Sequence, residues 1–354
     1  MIRLLDRVLA AVVVFLLCLS AGNAQRQLEN GLHLPVLRGI DLTLKGTYSE
    51  ADSIFANLEG KYPHHPAPTV YRAGVRQSRM IDYRLEMRDV VFDSLLEKGL
   101  AKCEAYIEMY PDQPWGYFFR GTARGYASYA CVARGDWLGG FVKGISAVSD
   151  FEKSLALDST LFDAWVGIGA YRYWRSEKSE FLHWLPFVDD QRDEAISLIL
   201  RTVRQGIYNR FTAINVLTHI YLTAGRPEAA LELVQEGLRT YPNHRVFLWE
   251  KGDALMALQR YAEAVEHFEH LLRVVEQGEE PHRYNKMLCL LRLAQAKRGI
   301  SQDAEALNLV EKAIAYGSTG IPAYLADRGR ERLDEAKRLL VELRLKISSS
   351  NGRK

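Results

Sequence analysis

The sequence predicts an all-α chain folded as an α-solenoid of antiparallel helix pairs, and three observations carry that prediction. Between Phe211 and Gly278 one helix-turn-helix pattern occurs twice, 34 residues apart: Ile214, Thr218, Tyr221, Pro227, Ala230 and Val234 are answered by Leu248, Gly252, Leu255, Tyr261, Ala264 and Phe268. Within each copy the apolar and small positions fall three or four apart, the spacing of one helical face. Polar turns at Thr223 to Arg226 and Leu258 to Arg260 part the two helices, and Tyr241, Pro242 and Asn243 supply an exit signal, since proline cannot continue a helix. The third observation is a register of small residues carried in both directions, at Ala51, Gly99, Ala147, Ala195, Ala230, Ala264, Ala306 and Ala336, with steps of 48, 48, 48, 35, 34, 42 and 30.

From the start of the chain, Met1 to Ala24 has a basic head (Arg3, Arg7), an apolar run of 12 residues from Val8 to Leu19, and small residues at Gly22 and Ala24. That is the anatomy of a cleaved secretory signal, because a membrane span needs roughly 20 apolar residues. Cleavage after Ala24 leaves Gln25 first, free to cyclise; an uncleaved anchor is the alternative. Cys18 follows Phe15, Leu16 and Leu17, where lipidation wants a small neighbour, so a lipoprotein is not expected. The mature chain is expected to be secreted across the inner membrane, in the periplasm.

Residues 25–208 read as long repeats. Three equal steps of 48 imply a unit with 14 extra residues, enough for about two more turns on each of two helices. Gly39, Gly74, Gly121 and Gly169 take the matching place on the first helix of each unit, and the first unit is of ordinary length, ending at Tyr62 and Pro63. The second helix of the next unit carries Val91, Leu95, Gly99, Cys103 and Tyr106. The third unit turns at Arg134 to Asp136, and the fourth, from Trp165, is interrupted by the apolar stretch Glu180 to Val188 before Ala195 resumes the pattern.

Residues 209–347 read as regular 34-residue repeats followed by looser ones. Leu290 to Arg298 and Ala304 to Tyr316 form a seventh pair, and Arg332 to Ile347 a capping helix whose apolar stripe is Leu333, Ala336, Leu340 and Leu343, as an end repeat needs one polar face. Residues 348–354 are a polar tail, expected to be disordered.

The formal charge is +2 for the full chain and +1 without the leader, which takes Arg3, Arg7 and Asp6 with it. That balance gives no electrostatic footprint for nucleic acid. Cys103, Cys131 and Cys289 remain, too few and too scattered for a disulfide framework. Cys103 and Cys131 lie in neighbouring units and can pair; the other reading is small buried hydrophobes. With 48% apolar residues the chain can bury ample surface as a linear array.

No motif carries chemistry. His267 and His270 stand one helical turn apart at positions read as outward and solvated, and zinc needs three or four converging ligands. His64 and His65, in a proline-bounded loop, are read the same way. The glycines from Gly135 to Gly144 lack both the Gly-Lys-Ser/Thr signature and a preceding strand, so they do not make a phosphate loop; Gly140 and Gly144 are expected to let two long helices approach closely. No nucleophile elbow, zinc-protease motif or carboxylate pair is present. No cofactor, no metal and no catalytic residue is therefore expected.

The period, the small residue at the eighth position, the tight alanine at the twentieth and Pro242 at the thirty-second resemble the tetratricopeptide repeat, as does the stretch Ala147 to Asp158. Over residues 36–275 the long units also resemble the eukaryotic inclusion-body clearance proteins of the mitochondrial outer membrane, although the leader argues against the same location. The resemblance implies a concave face lined by the first helix of each pair, with Tyr71, Trp115, Phe118, Tyr173, Asn215, His219, Trp249, Asp253 and Met256 toward a ligand. The family's lysine–asparagine carboxylate clamp is absent, its places being taken by Phe118/Thr122, Val166/Ala170, Asn215/His219 and Trp249/Asp253. Such a groove suits a peptide or protein segment with apolar anchors; the alternative is that the aromatics fill the wider gap between long helices.

The expected function is a non-catalytic protein–protein interaction scaffold of the bacterial cell envelope. A self-associating homo-oligomeric solenoid is the alternative, and metal binding or catalysis has the least support. Phe181, Trp184, Leu185 and Phe187 in the interrupting stretch are expected either to pack near Tyr173 and Trp174 or to form a hook for a partner or a membrane surface.

Overall fold

The apolar repeat positions at Ala51 and Phe55, and at their equivalents along the chain, become the contact faces of helix pairs. The computed structural model describes residues 25–178, 190–278 and 283–351, which hold fifteen α-helices and, among those residues, no strand. The leader with Ala24 and Cys18, and the stretch carrying Phe181, Trp184, Leu185 and Phe187, lie outside the described residues.

Seven consecutive antiparallel pairs follow one another: α1 (Asn30–Lys45) with α2 (Tyr48–Lys61), α3 (Ala67–Tyr83) with α4 (Val90–Met109), α5 (Pro114–Ala133) with α6 (Trp137–Leu157), and α7 (Trp165–Lys178) with α8 (Arg192–Gln205). Then come α9 (Arg210–Thr223) with α10 (Pro227–Thr240), α11 (Arg245–Ala257) with α12 (Tyr261–Glu276), and α13 (Arg283–Gly299) with α14 (Asp303–Gly317). A terminal helix, α15 (Ala326–Asn351), closes the array.

The register is the same in all seven. Ala51, Ala147, Ala195, Ala230, Ala264 and Ala306 are buried on the second helix, Gly99 takes the same place in α4, and one turn on stand Phe55, Cys103, Phe151, Ile199, Val234, Phe268 and Val310, all buried. The reason is contact distance. At Gly252 a Cβ would come within 2.6 Å of the Phe268 ring, and at Gly39 within 2.3 Å of Phe55, so the aromatic of one helix rests directly on the backbone of the other.

Six of the seven first helices, those whose ends lie among the described residues, stop in the same way. Gly46, Arg84, Gly135, Gly225, Gln259 and Ser301 adopt positive φ, and the following N–H reaches back five residues, as from Thr47 to Leu42 O, Asp136 to Cys131 O and Arg260 to Leu255 O. This is the Schellman arrangement, which satisfies carbonyls at a helix end and favours glycine. Three of the six positions hold a side chain nonetheless.

The lengthening falls in a particular place. In α2, α8, α10, α12 and α14 the anchor lies three residues after the helix start, whereas Gly99 and Ala147 lie nine and ten residues into α4 and α6. The extra turns are therefore added at the N-terminal ends of α4 and α6, and α5 runs to 20 residues beside them. Side chains of Asp89 and Asp136 cap α4 and α6, accepting from Phe92 N and Gly139 N at 2.8 Å each. Close approach in this region rests on Gly140 and Gly144, where a Cβ would meet Val132 at 2.5 Å and Tyr171 at 2.8 Å. Helices α7 and α8 are only 14 residues each, so the third step of 48 does not lengthen either of them among the described residues.

The first helices fold back on the later pairs. Gln25 is buried and its side-chain amide donates to buried Asp163; Asp163 also accepts from Tyr208 N and Asn209 N. Tyr208 Oη accepts from Leu28 N at 2.9 Å and meets His33 Nδ1 at 2.7 Å. Further along, Arg245 pairs with buried Asp82 and covers the Tyr83 ring at 4.2 Å.

Helix α15 buries Ala336, Leu339 and Leu343 against the seventh pair. It continues to Asn351, past the Ile347 end expected from the sequence, because neither glycine nor proline stands before Gly352 to stop it.

Candidate functional site: the inner wall around Asp253

The first helices of pairs four to seven present successive side chains to one surface. From α7 comes Trp174, from α9 His219, from α11 Asp253 and Met256, and from α13 Arg292; Arg332 and Glu335 of α15 continue the row. The Trp174 and His219 rings lie 5.6 Å apart. Arg292 stands 3.7 Å from Asp253 and 3.9 Å from Glu335, and Arg332 pairs with Glu335 at 2.7 Å.

Asp253 is the point where these elements converge. Its side chain is 48% exposed, yet crowding by surrounding protein raises its carboxyl pKa, opposed by Arg292, Arg84, Arg332 and His219. A group that is open to water and faced from α3, α9, α13 and α15 at once sits in a concavity. Arg84 forms the opposite side. It lies at the left-handed end of α3 with φ +53°, stacks at 4.4 Å on Trp249 and donates to Asn285 Oδ1 at 2.7 Å. Burial lowers its pKa, and Arg328 of α15 adds like charge; no carboxylate lies within ion-pair distance of it among the described residues. Tyr129 of α5, exposed, feels Arg328 as well.

Beneath this surface, Glu250 is buried between α9 and α11. Asn215 Nδ2 donates to its Oε1 at 2.7 Å, while its Oε2 and the Thr218 hydroxyl of α9 have no hydrogen-bond partner among the described residues. Burial raises the Glu250 pKa well above its ordinary value, opposed by the Asn215 hydrogen bond.

The residues expected to face a ligand divide sharply. Tyr71, Trp115, Phe118, Tyr173 and Trp249 are buried. Tyr71 stacks on Phe55 at 5.2 Å, Trp115 meets Phe118 edge-on at 5.6 Å, Tyr173 meets Trp174 at 5.3 Å, and Trp249 lies under Arg84. These five fill the space between helices, as the alternative sequence reading has it. Asn215, His219, Asp253 and Met256 remain on the accessible wall. Arg84, Arg292 and Arg332 belong to it too and escape the sequence: two follow the point where the repeat spacing loosens, and Arg84 ends a helix far away in the chain.

Two histidine readings need correction. His267 is buried rather than outward, its Nε2 2.7 Å from Leu248 O, and burial pulls its pKa down to about 4. His65 is buried against Tyr106 and Phe119, accepts from Ala67 N, and is likewise held at about 4. In each case a backbone group satisfies the ring, so burial is tolerated. Cys103, Cys131 and Cys289 are free thiols. No group of three or more His, Cys, Asp or Glu side chains among the described residues is placed to hold a metal.

The model of the tetratricopeptide repeat matches residues 245–316, which are α11 to α14. No curated protein sequence matches the chain. Among solved structures, the anaphase-promoting-complex assembly Cut9–Hcn1 superposes with a TM-score of 0.53 at 16% identity, over 89% of this chain and 57% of that one. The C-terminal part of a repeat protein from Cytophaga hutchinsonii gives 0.45 at 15% identity, over 84% and 99%. The pilF protein of Pseudomonas aeruginosa gives 0.45 at 14% identity, over 77% and 98%. The tetratricopeptide-repeat match thus falls on the sixth and seventh pairs, and the pairs before them carry the same buried anchors on the same all-helical fold.

Proposed function

We propose that the chain is a non-catalytic binding scaffold whose inner wall, from Trp174 to Arg332, takes an acidic peptide or protein segment. The observation that carries this reading is Arg84: a half-buried guanidinium, fixed by Trp249 and Asn285 and with no carboxylate within ion-pair distance among the described residues. A partner carboxylate would offset the cost of keeping that charge desolvated. Arg84, Arg292, Arg328 and Arg332 stand against Asp253, Glu331 and Glu335 on this surface, four to three, so complementarity favours negative charge in the partner. The apolar-anchor groove of the sequence reading has less support, because its aromatics are buried. The expected setting, a cell-envelope complex reached through the leader, is part of the proposal.

The test is fluorescence anisotropy with a peptide panel graded in acidic content. Acidic peptides are expected to bind, to weaken as salt rises, and to lose about tenfold in affinity with Arg84→Ala, roughly 1.4 kcal/mol. Equal binding by acidic, neutral and basic peptides, or no effect of Arg84→Ala and Arg292→Ala together, would remove the reading.

A further inference from the structure

The turns added to α6 carry a feature absent from regular repeats. Trp137, Leu138, Phe141, Val142 and Ile145 are 62%, 75%, 46%, 54% and 48% exposed. They recur at i, i+1, i+4, i+5 and i+8, a single outward stripe on the helix. Five large apolar side chains within nine residues contrast with the polar turns of the regular pairs.

The stripe has a structural origin. Helix α6 begins ten residues before its anchor, but α8 begins only three before its own, so α8 does not cover the first two turns of α6. On the other side, Arg134 bonds Met87 O and Asp93, which ties the start of α6 to the start of α4, where Val90 and Val91 are exposed too.

We propose that this stripe is a docking surface for an anionic lipid bilayer. Side chains that stand this far out of the protein form a ridge, which a fluid acyl layer accepts without a complementary groove. Charge agrees. Lys143 is exposed beside the stripe and Lys178 holds its ammonium 5.8 Å from the Trp137 ring, and neither has a carboxylate within ion-pair distance among the described residues. Asp136, the nearest acid in sequence, is occupied in capping the helix. An indole at the edge of an apolar stripe flanked by lysines is the arrangement suited to the headgroup boundary. No described helix is long and apolar enough to cross a membrane, so the contact lies in the interface.

The experiment is flotation of the chain from Gln25 onward, which contains every described helix, with vesicles of phosphatidylcholine alone or with a third of phosphatidylglycerol. The parent is expected to float with the anionic vesicles. Trp137→Ser with Phe141→Ser should lower the bound fraction at least tenfold with unchanged far-ultraviolet dichroism, and Lys143→Glu should weaken binding to the anionic vesicles only. Absence of flotation by the parent, or flotation that the double variant leaves intact, overturns the proposal. A parent that sizes as a dimer, and a double variant that sizes as a monomer, would assign the ridge to a second copy and overturn it equally.

Discussion

Pairs two and three, from α3 to α6, and pairs five and six, from α9 to α12, share an anchor and differ in everything added around it. In both, the small residue at the anchor and the large one a turn later are buried. In the regular pairs the helices stop at a polar turn soon before the anchor. In the lengthened pairs the extra turns place Val90, Val91, Trp137 and Phe141 in solvent, while the end of α3 delivers Asp82 and Arg84 to the regular pairs. The difference teaches that repeat length here is not spent on a larger core. It builds an outer edge and an inner contact.

The largest test of that contrast removes the anchoring aromatic. Phe268→Ala in a regular pair and Phe151→Ala in a lengthened one are each expected to cost ~3–5 kcal/mol, as for other buried aromatics, whereas Phe141→Ala on the added turns should stay within about 0.5 kcal/mol. Urea unfolding of the three variants measures this. A loss for Phe141→Ala as large as for Phe151→Ala would mean that the added turns are core after all.

Acid provides the next test, since each region buries a neutral histidine. His65 and His267 are held at about 4, below the ordinary 6.5, because burial penalises the cation. The unfolded chain then binds protons that the folded one refuses. Stability is complete above pH 6.5 and is lost as pH falls toward 4, by at most about 3 kcal/mol for each histidine. Thermal unfolding at pH 7 and pH 4.5 should show a smaller acid loss in His65→Gln and His267→Gln than in the parent. An unchanged acid loss in both variants would place the sensitivity elsewhere.

Ala264→Leu and Ala147→Leu add methylenes where two helices touch and should each cost ~1–3 kcal/mol. Glu263→Leu, at an exposed position paired with Arg260, should cost little. Thermal shifts of equal size for all three would break the common register. The smallest effect is expected at Ser301, whose φ of +62° suits glycine; Ser301→Gly should stabilise by up to ~1 kcal/mol, read as a small rise in melting temperature, and a fall would show that the serine side chain compensates.

What was legible in the sequence follows from what is periodic. Ala51, Ala147, Ala195, Ala230, Ala264 and Ala306 were readable because helix contact forbids larger side chains there, and that constraint recurs at a fixed place in each unit. The Gln25–Asp163, Asp82–Arg245 and Arg84–Trp249 contacts were not, because they join residues more than 130 apart and leave no local pattern. His65 and His267 looked like surface residues because their partners are backbone groups, which the sequence does not display. The nine expected ligand residues were at inner positions of the repeat, but in the lengthened pairs an inner position is also a gap to be filled, and Trp115 and Phe118 fill it.

The polar contacts of α1 to α3, with Gln25, bind the lengthened pairs to the regular ones as one body. Hydrogen exchange under graded urea, followed by mass spectrometry, reports on both regions in one experiment. The parent is expected to open α4 to α6 and α9 to α12 in a single shared transition. Arg245→Ala, which strands the buried Asp82 carboxylate at a cost of ~3–5 kcal/mol, should separate the two. Two independent openings already present in the parent, unaffected by Arg245→Ala, would contradict it.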